Sequence, residues 1–241
     1  SKNIRSRVNQ HFTNTNNKSK KIQLQVAAVT YETTGSELVA LLKESEEIKR
    51  NKPIHNRALR RTLFTHALYS FVDENGYINL KIDKADGRKK AITTFANKQS
   101  SKSFMFKAVD DYQLCQKLTG LYNTKTSCFK YDIKECLGAC VNEEDPELYN
   151  ERVYKLIEKN SYENQHMAII DRGREVDERS VLLIENGVFK GLGFFNLNYQ
   201  ITNIEVLENL ITPMENNRDT QHIIQNYIRK NKNLKILQLK K

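Results

Sequence analysis

The chain has 241 residues, of which 39% are hydrophobic, and a mean hydropathy of -0.66; that length allows one domain or two modest ones with a sizeable core. No apolar run approaches the roughly 20 residues needed to span a bilayer, and none resembles a signal-peptide core, so a membrane role is excluded and a cytoplasmic protein is expected. The net charge of +10 is uneven, because residues 1 to 62 carry 13 Lys and Arg against 5 Glu and no Asp. A polyanionic partner, nucleic acid or another phosphate ligand, is therefore expected to meet the first quarter of the chain.

The opening "SKNIRSRVNQHFTN" places Ile4, Val8 and Phe12 on one helical stripe with Arg7 and His11 along its edge. The polar "TNTNNKSKK" reads as a flexible connection, and "IQLQVAAVTYETT" as a helix end running into a strand. "GSELVALLKESEEIK" is the strongest helix of the first quarter, with Ser36 as N-cap, Leu38, Leu41, Leu42 and Ile48 as its buried face, and Pro53 beyond its end. Asn75-Gly76 signals a hairpin within "LYSFVDENGYINLKI". A helix is expected from near Ser101, and another from Pro146 with Asp145 as N-cap. The last third reads as three strands, the latter two joined at Asn186-Gly187, then helices near Asn203 to Leu210 and Asp219 to Lys230, and a closing strand "LKILQL". Asp171, followed by the polar turn "RGRE", reads as an ordinary strand end.

Two groups of residues can carry chemistry. Glu44 falls within about 80° of the apolar stripe of its helix, and a partly buried carboxylate there needs an Arg, a helix N-terminus or a metal ion as partner. An Arg, a His and a carboxylate together suit phosphodiester cleavage: the Arg stabilises phosphoryl charge, the carboxylate holds a hydrated divalent cation, and the His positions or deprotonates water. The four cysteines all fall between positions 115 and 140, which argues for a local site rather than a dispersed disulfide framework. Such thiolates would hold zinc or an iron-sulfur cluster.

At these residues the sequence resembles a known family. "SKNIRSRVNQHF", then "SELVALLKESEEIKRNKPIHN", is similar to the second part of a GIY-YIG nuclease domain as found in UvrC, the incision subunit of bacterial nucleotide excision repair. The resemblance implies that Arg7 is the catalytic Arg, that Glu44 is the ligand of a divalent cation (Mg or Mn), and that His11 stands where UvrC proteins usually carry Tyr. Pro53 and Asn56 of the motif are kept, and His55 replaces its Tyr. The family's two tyrosine strand motifs precede the Arg helix, so the chain is expected to be a fragment, inactive alone, of a longer nuclease. A parent with a proofreading-type exonuclease, resembling the epsilon subunit of DNA polymerase III, fused ahead of this module is compatible with that start. "CFKYDIKECLGACVNEEDPELYNERV" is similar to the UvrC cysteine run associated with an iron-sulfur cluster, which implies metal ligation by Cys115, Cys128, Cys136 and Cys140. Lys52, Arg57, Arg60 and Arg61 adjoin the expected site and would contact DNA phosphates.

The expectation is an α+β protein with four parts: a partial GIY-YIG domain (1–62), a β-hairpin connection (63–101), a Cys-rich helical segment (102–160) and a C-terminal mixed β-hairpin/helix subdomain (161–241). Its expected function is that of a metal-dependent, structure-selective DNA endonuclease of nucleotide excision repair type, acting on DNA with a partner protein of the repair complex. The alternative is a non-catalytic DNA-binding or partner-binding module derived from such a nuclease.

Overall fold

The computed structural model describes residues 1, 3–56, 63–162, 165–196, 208–231 and 233–239. Two short helices lead the chain. α1 (Ile4–Thr13) starts where the Asn3 side chain accepts the Ser6 N–H, and α2 (Asn17–Gln25) starts where the Asn16 side chain accepts the Ser19 N–H. The expected flexible connection is thus mostly helix, because an Asn side chain in extended backbone can satisfy one of the four orphan N–H groups of a new helix. Residues 26–34 form neither helix nor strand, since no neighbouring chain among the described residues supplies the paired N–H and C=O groups that a strand needs.

The next helix, α3 (Glu37–Asn51), is capped by Ser36 and ends at Lys52, which takes the left-handed conformation one residue before Pro53. Gly35 sets its entry angle. At φ +75 it approaches the Gly173 carbonyl so closely that a Cβ would lie 2.0 Å from that oxygen.

A small antiparallel sheet follows, in the order β2-β1-β3, from β1 (His66–Val72), β2 (Ile78–Lys84) and β3 (Thr93–Phe95). The Asn75-Gly76 turn joins the first two, with Val72 paired to Ile78. α4 (Lys98–Asp111) begins three residues before the expected point because Asn97 and Ser100 form a reciprocal capping box. Two short helical turns, α5 (Phe129–Asp132) and residues 139–141, lie in the cysteine segment, and α6 (Pro146–Asn160) closes it with Asp145 as N-cap. These elements share one core that includes Leu68, Tyr77, Met105, Tyr149 and Leu156.

The second sheet has the order β7-β6-β5-β4-β8, all antiparallel, from β4 (Met167–Arg172), β5 (Glu178–Glu185), β6 (Val188–Asn196), β7 (Thr212–Pro213) and β8 (Lys235–Gln238). β4 and β5 are buried on both faces, so their sequences run apolar instead of alternating. On one face Met167, Ile169, Leu182 and Ile184 pack with Ile223 and Ile224 of α7 (Arg218–Lys230) and with Leu38, Val39 and Leu42 of α3. On the other, Ala168 and Val181 meet Phe195, Ile211 and Leu237. Helix α3 therefore shares its core with residues 162–236, across the boundary expected at residue 62.

The buried face of α3 is Leu38, Val39, Leu42, Ser45 and Ile48, with Leu41 exposed. The expected face is centred roughly 30° away around the helix, because the helix wedges against both α7 and the sheet and turns Val39 and Ser45 inward. Most of the helix expected near Asn203 lies outside the described residues, although residues 208–210 are helical. Asp171 accepts a hydrogen bond from the Tyr227 hydroxyl at 2.7 Å, which ties β4 to α7 as a structural contact. Among the described residues no helix is long and apolar enough to cross a membrane.

Candidate nuclease edge and cysteine centre

Arg7 and His11 lie one turn apart on α1, whose residues are all at least partly exposed. They line a hollow between α1 and α2 together with Gln10, Asn14, Lys18 and Ile22. The Arg7 Nη1 donates to the Gln10 Oε1 at 2.9 Å, which leaves the guanidinium oriented but without an acidic partner among the described residues. Gln23 of α2 holds the far end of α1 by donating to the His11 carbonyl at 2.8 Å. Ile4 and Phe12 remain exposed, so the stripe they form with Val8 is not the buried stripe its spacing suggested.

Glu44 is also exposed, on the solvent side of α3, and it has no hydrogen-bond or ion-pair partner among the described residues. The sequence placed it near the buried face. The shift of that face toward Val39 and Ser45 turns Glu44 outward, so its carboxylate stays hydrated and needs no buried partner. It does not line the Arg7 and His11 hollow. A hydrated carboxylate on a rigid helix suits Mg or Mn, which are held through one or two carboxylates while keeping several waters. Lys52 is exposed at the C-terminus of the same helix, while Arg57, Arg60 and Arg61 lie outside the described residues. His55 Nε2 meets Gln25 Oε1 at 3.0 Å, linking the α3 exit to α2.

The cysteine centre is built differently. Cys115 follows the turn that ends α4, where Gln113 has φ +51; Cys128 precedes α5; Cys136 and Cys140 flank Gly138. Gly138 has φ +95, and a Cβ there would lie 2.8 Å from the Glu143 Cβ, so the tight reversal between the last two cysteines requires glycine. The four Sγ atoms all lie within 4.8 Å of one another, with Cys115, Cys128 and Cys136 buried and Cys140 half-buried. Cys115 and Cys128 are 3.8 Å apart, and the Cys128 N–H points to the Cys140 Sγ at 3.4 Å. The Thr119 hydroxyl donates to the Cys115 carbonyl at 2.9 Å, fixing the loop that carries the most distant member.

Hydrogen bonding from the Cys115 thiol, with further help from the Gly138 N–H, lowers the Cys136 pKa to about 5 despite its burial. Cys115 shifts upward in turn, and burial pushes Cys140 up. One thiolate is thus favoured within the set before any cation is bound. Four sulfurs in this space fit a four-thiolate metal site: a tetrahedral ion with Zn–S bonds of about 2.3 Å sets its sulfurs about 3.8 Å apart. Tyr149 packs against the centre, its hydroxyl buried and its pKa raised by that burial. Lys130 to Asp110 at 2.5 Å and Tyr131 to Glu143 at 2.7 Å pin the surrounding loop.

Comparison with known proteins extends this order of parts. Residues 1–57 match the UvrC-like GIY-YIG domain, and residues 68–159 match the middle domain of UvrC/Cho excinuclease. The chain is UvrC-like. An excinuclease Cho of Salmonella typhi is 27% identical to this UvrC-like chain over 159 residues, covering 65% of the chain and 54% of the relative. The Escherichia coli K12 excinuclease Cho is 29% identical over 159 residues, 65% of the chain and 53% of the relative. A UvrABC system protein C of Fervidobacterium nodosum is 24% identical over 206 residues, covering 80% of the chain and 36% of that protein. The chain therefore spans about half the length of the Cho relatives it matches. No solved structure matches the UvrC-like chain. All four cysteines lie inside the middle-domain match, while Arg7, His11 and Glu44 lie inside the GIY-YIG match. The α+β class expected from the sequence is the class observed.

Proposed function

We propose that the chain is part of a UvrC-type DNA endonuclease that hydrolyses a phosphodiester during nucleotide excision repair, with Arg7, His11 and Glu44 as its catalytic residues. The observation that supports it most is the match of two consecutive UvrC-type units, in order, to the segments that carry the Arg7 and His11 hollow, the hydrated Glu44 and the four-thiol centre. Arg7 neutralises charge on the non-bridging phosphoryl oxygens, and His11, exposed enough to exchange protons with solvent, takes the proton of the attacking water. Glu44 would hold a divalent cation, Mg or Mn, whose chemistry there would be Lewis-acid polarisation of the phosphoryl group. The exposed Ile4, Phe12, Leu24 and Tyr31 offer apolar surface on which further elements of a longer nuclease would pack. Lys52, with Arg57, Arg60 and Arg61, contacts DNA phosphates. The four cysteines hold a structural metal, zinc or an iron-sulfur cluster, in the middle-domain unit.

One observation favours the alternative, a DNA- or partner-binding module without cleavage: Glu44 does not line the hollow of Arg7 and His11. Nicking of damaged DNA by the intact protein separates the two. The endonuclease reading expects Glu44→Gln to lower Mg-dependent nicking by at least about 100-fold, with DNA binding kept. Undiminished nicking by that variant would sink the assignment of Glu44, and an intact parent that binds DNA but never nicks it would establish the binding module.

A further inference from the structure

A cleft of about 190 Å³ lies between the small sheet and the first turns of α7, away from the Arg7 and His11 hollow and from the cysteines. Its rim is cationic. Exposed Lys89 and Lys90 of the β2–β3 connection stand on one side and Arg218 of α7 on the other, and the Arg218 guanidinium donates to the Gly87 carbonyl to join the two sides. Asp86, the acidic residue of the lining, accepts hydrogen bonds from the Arg88 N–H at 3.0 Å and Nε at 3.3 Å, so its charge is matched within its own loop.

The lining below the rim is aromatic and polar. Tyr69, Tyr162 and Gln225 contribute to it. Tyr162 lines it while only 6% exposed, and its hydroxyl, out of reach of solvent, has no hydrogen-bond partner among the described residues, a buried polar atom left unpaired at a cost in free energy. Gln225 is held in place, its Nε2 donating to the Asn160 carbonyl at 3.1 Å and its Oε1 accepting from Thr93 at 3.1 Å. Arg229 supports the same wall, donating to Thr93 at 2.5 Å and stacking 5.1 Å above the Phe95 ring.

The cleft is tied to the candidate nuclease helix. Lys49 of α3 reaches Asp219 at 2.6 Å and the Asn217 side chain at 2.8 Å, both at the N-terminus of α7 beside Arg218. Lys49 lies five residues beyond Glu44, about 7.5 Å along the helix axis.

We propose that this cleft holds one nucleotide of the DNA strand, with its phosphate at Lys89, Lys90 and Arg218 and its base against Tyr69, Tyr162 and Gln225. The inference rests on the UvrC-like reading and extends it to a site in which an unpaired strand is gripped beside the Glu44 helix. A cationic rim over an aromatic wall is the combination that binds single strands with little sequence preference.

The test is binding of a labelled 12-nucleotide oligothymidylate to the full chain across a salt series. Lys89→Ala with Arg218→Ala is expected to weaken binding about tenfold and to reduce the salt slope by up to about 0.7, the share of the one phosphate held there. Tyr69→Leu, which removes a half-buried ring from the base wall, weakens it about threefold with the slope unchanged, because a base contact carries no counterion release. Lys89→Glu alone, in an exposed loop, keeps the test readable where Arg218→Ala disturbs the rim. A pair of exposed lysines elsewhere, Lys102→Ala with Lys155→Ala, is expected to change affinity less than twofold. An equal loss in that control pair, or no loss in the Lys89 variants while the unaltered chain binds, overturns the cleft and leaves the UvrC-like reading standing. Full competition by micromolar thymidine monophosphate also overturns it, by making the site one for a free nucleotide. Failure of the unaltered chain to bind DNA at all counts against the UvrC-like reading itself.

Discussion

The candidate nuclease edge and the cysteine centre are built on opposite principles. The cysteine centre closes over its own ligands: three of its four sulfurs are buried, its reversal depends on Gly138, and Tyr149, Leu114 and Met105 pack around it. The nuclease edge leaves Arg7, Glu44 and the apolar residues of α1 in solvent. Burial organises thiols because a metal replaces the water they lose, whereas a hydrated cation and a polyanionic substrate require carboxylate and guanidinium groups that water can still reach. A centre of the first kind is preorganised by the chain that carries it, and an edge of the second kind is completed by what docks on it.

The contrast breaks most visibly at α3, where an exposed candidate ligand sits on a helix with a fully buried face. Leu42→Ala removes a side chain with no exposure and should destabilise the chain by about 2–5 kcal/mol, measured as a lowered denaturant midpoint with unchanged slope. A loss under about 1 kcal/mol would mean that α3 is not anchored on the second sheet.

The seam between the two cores titrates. Burial first, then Arg229, lowers the pKa of His222 to about 4, where its Nδ1 meets the Thr94 hydroxyl at 2.9 Å and its ring meets Phe64. A histidine depressed on folding contributes stability that is complete above its unfolded value near 6.5 and is lost as pH falls toward 4, since the unfolded chain then binds the extra proton. Unfolding measured at pH 7 and pH 5 should differ by about 2 kcal/mol from this residue, and His222→Gln should flatten the dependence.

Gly138→Ala sharpens the other side of the comparison. Left-handed backbone and the Glu143 contact should cost about 1–3 kcal/mol, read from thermal unfolding, together with weaker metal retention. At the exposed edge, Glu44→Gln and Arg7→Gln should each change stability by less than about 0.5 kcal/mol in the same measurement, which separates their chemistry from any role in the fold.

Local signals in the sequence were the legible ones. Ser36, Asp145 with Pro146, and the Asn75-Gly76 and Asn186-Gly187 turns act within a few residues, and each stands where its local chemistry put it. The cysteine spacing pointed to a cluster for the same reason, although the contribution of Cys115 depends on the long turn through Gln113 and Thr119. What was not legible depends on distant partners. The rotation that turns Val39 inward and Glu44 outward is set by α7 and the second sheet, more than 120 residues away in the chain. The short β3 and the Tyr162 cleft likewise exist only once Arg218, Gln225 and Arg229 of α7 meet the small sheet. Only the first half of helix α2 escapes the sequence, for a local reason, since Asn-rich sequence reads as loop until one Asn is seen capping; its end at Gln25 falls in the stretch read as a helix end.

Metal analysis of the anaerobically purified chain tests most directly whether the cysteine centre is complete within it. One metal centre per chain is expected, zinc or iron with sulfide, with its near-complete loss in Cys136→Ser and a lowered melting temperature. A metal-free chain that melts at the same temperature as Cys136→Ser would contradict it.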